Sequence, residues 1–248
     1  MIFLLSCYET LGEQLYGYCD KYKIPIESIF QILEDQKVVP MIRGKATECN
    51  VYIILREMLN PNEWSVVKLN LNAQPNNDDQ DISITHKRTG IIIKVECKNA
   101  VRGSFKHSKK CKIKTPHCRI KCHKSRSKIK VAATTNDRYS VDAFDIIVSN
   151  LSNSIIASGT LSEYFEPIPD NECFELLSEH YNVPNSFEDV FNATFNDWRF
   201  AKTPDLAENG FLLRAPPLLL KEDNIWNPIN KLEAALIQIV REKRKNVR

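Results

Sequence analysis

The sequence predicts an α/β fold, a mixed central sheet flanked by helices. Three observations predict it. Up to Leu59 the apolar residues recur at helix spacing, from Ser65 to Lys98 the period drops to two, and helix spacing returns at Phe187. With 248 residues, 43% of them hydrophobic, the chain can bury a sizeable core and is not disordered. A single domain over residues 1–248 is expected. Its core should lie at about 43–165, with helices ahead of it over 1–42 and additions behind it over 166–248.

The elements follow in order. Leu11, Leu15, Tyr18 and Cys19 sit at helix spacing, as do Ile26, Ile29, Phe30 and Leu33. Pro25 and Ser28 suit a helix start. A third helix is predicted from about Arg43 to Leu59, with Val51, Ile54, Leu55 and Met58 on its buried stripe and Asn60-Pro61-Asn62 stopping it. Strands are predicted at Ser65–Leu71, Asp81–Thr85 and Ile91–Lys98, the last two joined as a hairpin through Lys87–Gly90. Ile129–Ala133 is a further strand candidate. Phe144–Leu151 reads as a buried strand, and Ser154–Gly159 is expected to pair beside it. Phe187–Phe195 and Leu232–Lys243 have helical patterns, and the basic tail Arg241–Arg248 is expected to fray.

Charge is unevenly spread. Lys98 to Lys130 holds thirteen Lys and Arg and no Asp or Glu, and the rest of the chain has a net charge of −10. A basic stripe on an acidic body calls for a polyanion, and without an interfacial helix nucleic acid ranks above lipid. The opening Met1-Ile2-Phe3-Leu4-Leu5-Ser6-Cys7 ends like a lipoprotein cleavage site, but it lacks a basic n-region and its apolar run is short. It is read as the start of a helix that packs inward. No segment reaches transmembrane length. Eight cysteines in a chain of this size do not demand disulfides, so a soluble cytoplasmic protein with reduced thiols is expected.

Alternation along Ile91–Lys98 sets Lys94, Glu96 and Lys98 on one face and Ile93, Val95 and Cys97 on the other. A four-residue loop pairs His86 with Ile91, and that register brings Asp81 opposite Glu96. Directly opposed Cβ atoms lie about 5 Å apart. Two carboxylates there repel each other unless a divalent cation uses both as ligands. Lys98 lies roughly 7 Å along the same face from Glu96. Beside a metal it is placed to orient or help deprotonate a water, and its pKa is expected to be depressed there. Mg²⁺ is the expected ion. The competing reading is a surface hairpin in which Glu96 pairs weakly with Lys94 and Lys98.

Gln80-Asp81-Ile82-Ser83-Ile84, followed by Glu96-Cys97-Lys98, resembles the active-site motif of the PD-(D/E)xK nuclease superfamily, and within it the type II restriction endonucleases. Gln80 stands where the motif often has proline, and Asp78 and Asp79 lie close to the metal aspartate. The resemblance covers roughly Arg43 to Leu151. It implies a restriction-endonuclease-like sheet and Mg²⁺-dependent cleavage of double-stranded DNA at a short specific sequence. Asp81 and Glu96 would hold the metal and Lys98 would act beside it. In these enzymes a helix normally precedes the motif and often carries an acidic residue; Gly44-Lys45-Ala46-Thr47-Glu48 resembles that feature, so Glu48 is expected to be an accessory carboxylate. Asn136-Asp137-Arg138-Tyr139 resembles the segment leading into the next core strand. Palindromic sites would call for a homodimer.

The basic stretch is the expected DNA contact. Arg119 and Arg126 have the fork geometry for guanine; Lys121, Lys124, Ser125 and Ser127, with Arg102 and Lys114, suit phosphates or base edges. Cys111, Cys118 and Cys122 offer zinc ligands but lack a second paired knuckle, so incidental thiols on a DNA-facing segment are preferred. Alternatives are a structure-specific or repair nuclease, a ribonuclease, and a non-catalytic nucleic-acid-binding protein with a zinc site.

Overall fold

In the computed structural model of the chain, the described residues are 2–35, 37–69, 80–104, 116–123, 130–131, 134–135, 137–157, 168–169, 171–221, 223 and 225–246. Two compact units are present, Met1–Arg43 belonging to the first, and Gly44–Ser158 with Pro167–Arg248 forming the second.

In the first unit, helices α1 (Ile2–Tyr22) and α2 (Ile29–Leu33) are joined by a 3₁₀ turn at Ile26–Ser28. The expected helical spacing is present, and the inward packing expected of Met1–Cys7 falls on side chains outside those described. From Thr10 to Tyr22 only Cys19 is buried, while Leu11, Leu15 and Tyr18 are exposed.

Helix α3 (Val39–Met58) begins earlier than its apolar pattern suggests. Pro40 falls in the first turn, where a missing N–H costs nothing. Its buried positions are Thr47, Glu48, Val51 and Leu55, with Ile54 and Met58 half-buried.

The main sheet of the second unit contains β1 (Trp64–Lys68), β2 (Ile82–His86), β3 (Ile91–Cys97), β6 (Ile146–Ser149), β7 (Arg199–Lys202) and β9 (Asn227–Pro228), in that spatial order. All its pairings are antiparallel except β3 with β6, which is parallel. The chain between β3 and β6 includes part of a second sheet, in which β5 (His117–Ile120) lies between β4 (Ala100–Ser104) and β8 (Pro217–Leu219).

Two apolar layers cover the main sheet. On one face Ile93, Val95, Cys97, Ile146 and Val148 pack with Val51 and Leu55 of α3 and with Leu232, Leu236, Ile239 and Val240 of α6 (Leu232–Asn246). On the other, Ile147 packs with Ala100, Cys118, Ile120 and Cys122, with Phe174 and Leu177 of α4 (Asn171–Tyr181), and with Val190 of α5 (Phe187–Asn196). A strand buried on both faces reads as a continuous apolar run, which is why Ile146-Ile147-Val148 is legible. Ser186 caps α5, its hydroxyl accepting from the Asp189 N–H at 3.1 Å.

Several expectations are corrected. Ser152–Ile155 is a 3₁₀ turn, and Ile156–Ala157 pairs with Ile168–Pro169, not with β6. The flank of β6 expected for it is taken by β7, which is paired along four residues. The segment 166–248 supplies β7 and β9 of the main sheet and the core-facing residues of α6. The basic tail continues α6 to Asn246, where Lys243, Arg244 and Lys245 suit the negative end of the helix dipole. Lys130–Val131 does pair, with Thr134–Thr135. Asn70, Leu71, Ile129, Ala132, Ala133 and Gly159 lie outside the described residues.

Candidate active site

The β2–β3 hairpin has the expected register, His86 opposite Ile91 and Ile82 opposite Val95. Asp81 is the residue just beyond the last pair of this ladder, as Glu96 is on the other strand. The Asp81 carboxylate accepts the Cys97 N–H at 2.8 Å, and its carbonyl accepts the Leu69 N–H at 2.8 Å. Asp81 is thereby anchored at the end of β2, against the last residues of β3.

Glu96 is 3% exposed. Lys98 ion-pairs with its Oε1, and its backbone N–H extends the parallel pairing by donating to the Val148 carbonyl at 3.0 Å. This pair is buried, unlike the weak surface pair of the competing reading. Lys98 Nζ also lies 5.1 Å from the centre of the Tyr139 ring.

The electrostatics are set by burial and by close charges. Burial pushes the Asp81 carboxyl up; the Cys97 N–H opposes this, Glu48 adds to it, and Lys98 and Lys45 pull down, leaving it at about 6. For Lys98, burial acts downward but Glu96, Tyr139 and Asp81 together outweigh it, so its pKa is raised. In the chain by itself, Glu96 supplies a counter-charge at contact that favours the charged ammonium. Burial also holds the Cys97 thiol well above its ordinary value, reinforced by Asp81, Glu96 and Glu48.

Glu48 is buried on α3, where Lys45 donates to both its oxygens at 2.8 and 2.9 Å and Lys68 of β1 lies 3.4 Å away. Its charge is felt at Asp81. One residue earlier, Thr47 donates to the Asn99 side chain at 2.5 Å, tying α3 to the residue after Lys98. Helix and hairpin thus bring Glu48, Asp81, Glu96 and Lys98 into one neighbourhood. Among the described residues, no group of three or more His, Cys, Asp or Glu is arranged to hold a metal ion.

The basic stretch differs more from expectation. Cys118, Ile120 and Cys122 are fully buried, so the thiols are core residues and not incidental groups on a DNA-facing surface. Burial raises the Cys118 thiol to about 11 and the Cys122 thiol to about 12. Arg119 is half-buried and donates to the Ala215 carbonyl at 3.2 Å. Lys121 is exposed. Arg102 falls on β4. Lys114, Lys124, Ser125, Arg126 and Ser127 lie outside the described residues, as do Cys111, Asp78, Asp79 and Asn136.

Three features are not anticipated by the sequence reading. Tyr139 lies against Lys98, and an aromatic a few residues ahead of a buried strand is the available signal. Lys45 and Lys68 flank Glu48; the i, i+3 spacing of Lys45 and Glu48 on a helix is readable. Asp145 accepts the Lys94 N–H at 2.7 Å and Lys243 Nζ at 2.6 Å, which latches α6 onto β3 through partners far apart in sequence.

No protein-family model matches the sequence, and no curated protein matches it. Among solved structures the chain is similar to a bacterial homing endonuclease, I-Ssp6803I, at 10% identity and a TM-score of 0.37, over 82% of this chain and 94% of that one. No described helix is long and apolar enough to cross a membrane.

Proposed function

We propose that this chain is a Mg²⁺-dependent endonuclease that hydrolyses phosphodiester bonds of double-stranded DNA at a short specific sequence, in the manner of a type II restriction enzyme. The observation that carries the reading is the meeting of Asp81 with the end of β3, where Glu96 and Lys98 form a buried ion pair. Two acids and an amine are gathered where a structural protein gains nothing by burying them.

Mg²⁺ is held by one or two carboxylates, with waters and substrate phosphate completing its shell. Asp81 and Glu96 fit that need, and neighbouring Gln80 has a buried side-chain oxygen with no hydrogen-bond partner among the described residues. Bound there, the ion would polarise the phosphoryl group and acidify a water. Lys98 contributes a compact positive charge beside the carboxylates and orients the attacking water. Glu48, fixed by Lys45 and Lys68, raises the negative potential around Asp81. The basic stretch that starts at Lys98 draws the phosphate backbone towards these groups. A two-fold dimer in the cytoplasm, acting on palindromic sites, completes the reading.

Digestion of supercoiled plasmid with and without Mg²⁺, followed by end sequencing, tests it. The expected result is a discrete ladder with one recurring sequence at the ends, produced only with the metal. Cleavage confined to junctions or flaps would instead favour a structure-specific nuclease. Salt-sensitive binding without any nicking would leave a non-catalytic DNA-binding protein.

A further inference from the structure

We infer that Tyr139 is a positioning residue that fixes the Lys98 ammonium beside the carboxylates. Its effect on rate rests on the nuclease reading; the contact itself does not. Tyr139 is 9% exposed, Lys98 Nζ lies 5.1 Å from its ring centre, and the charge of Lys98 acts on the Tyr139 hydroxyl. The ring is itself held. It meets Phe144 edge-on with centroids 4.9 Å apart, and the Tyr139 carbonyl accepts the Leu212 N–H at 2.9 Å. Next to it, Arg138 donates to the carbonyls of Leu212 at 2.8 Å and Phe211 at 3.1 Å, so this stretch of backbone is tied to the chain opposite.

A buried ammonium on a flexible stem needs more than one partner to stay in one place. Glu96 provides the first. An ammonium held by Glu96 alone would follow that carboxylate whenever its oxygens turned to another ligand. The negative face of the tyrosine ring and its hydroxyl provide a second, immobile partner. A core aromatic with no such duty would need neither a lysine against its ring nor a hydroxyl within reach of one.

The test compares Tyr139→Phe and Tyr139→Leu, each alone and with Lys98→Ala. The first readout is the ¹H–¹³C signal of the Lys98 Cε methylene, assigned by its loss in Lys98→Arg. It should be displaced by the ring current in the wild type and in Tyr139→Phe, and return to an ordinary lysine shift in Tyr139→Leu. The second is steady-state cleavage. Tyr139→Leu should lower kcat about 30-fold and Tyr139→Phe about 5-fold, with KM within about 2-fold, as for a group that fixes geometry and not affinity. Neither change should lower the residual rate of Lys98→Ala further. An undisplaced methylene in the wild type, an undiminished kcat in a folded Tyr139→Leu, or an equal loss with and without Lys98 would overturn the inference. If Tyr139→Leu does not fold, Tyr139→Phe carries the kinetic comparison. A wild type that cleaves no DNA would sink the nuclease reading, while the methylene signal would still decide the contact.

Discussion

Asp81 carries a charge that the folded chain holds at a cost. Its carboxyl is raised to about 6, with burial the leading cause. A carboxyl whose folded pKa lies above its unfolded value adds stability below the unfolded pKa of about 4 and loses it as pH rises through about 6. Without metal, the melting temperature is therefore expected to fall between pH 4 and 7, by an amount worth at most about 3 kcal/mol. Thermal melts of Asp81→Asn should show that part of the slope removed. The same variant keeps an acceptor for the Cys97 N–H, so at neutral pH it should be at least as stable as the wild type while losing about 10³-fold or more in cleavage rate. Glu96→Gln keeps an oxygen for Lys98 and should also lose cleavage. Lys98→Ala is the more damaging change to the fold, since it leaves a buried carboxylate without its cation, a loss of about 3 kcal/mol. Denaturant titration beside plasmid cleavage separates the two effects.

Among the elements, the β2–β3 hairpin is readable because its loop, its alternation and its register are all local. The pairing of His86 with Ile91 fixes a ladder that ends at Ile82 and Val95, next to Asp81 and Glu96. Strand β5 is not read from the sequence, although Cys118, Ile120 and Cys122 alternate with Arg119 and Lys121 at period two. The high local charge hides a strand whose apolar face is core. Strand β7 escapes for another reason. Its partners, β6 and β9, are distant in sequence, and only four residues mark it. The candidate site is legible where its residues share one hairpin and illegible where Tyr139 and Lys68 arrive from elsewhere. The placement of β5 makes its own prediction. Cys118 and Cys122 should resist thiol reagents in the native protein and react on unfolding. Cys122→Ser, which buries a hydroxyl in an apolar layer, should cost about 1–3 kcal/mol. Thiol counting with and without denaturant, and a melt of the variant, check both.

At the scale of the whole molecule, the chain is acidic apart from one strongly basic stretch. DNA affinity should therefore depend steeply on salt. If six or more phosphates are contacted, Kd is expected to rise about 10³-fold or more between roughly 50 and 200 mM salt, as measured by fluorescence anisotropy. The C-terminal segment should prove indispensable to folding. Leu232, Leu236, Ile239 and Val240 of α6 sit in the same layer as Ile93 and Val95, so truncation before Leu232 is expected to abolish the cooperative melt.

Asn99 stands close between β3, which ends the acidic pair, and β4, which begins the basic hairpin. Its side chain is pinned by Thr47 and its carbonyl accepts the Lys121 N–H at 3.5 Å. One clamped residue thus joins the strand that bears Glu96 to the strand that opens the basic stretch. On the proposed nuclease reading, a duplex seated badly on that stretch would strain this pin one peptide unit from the Lys98 amine, and a single lever would then serve both the checking of sequence and the breaking of the bond.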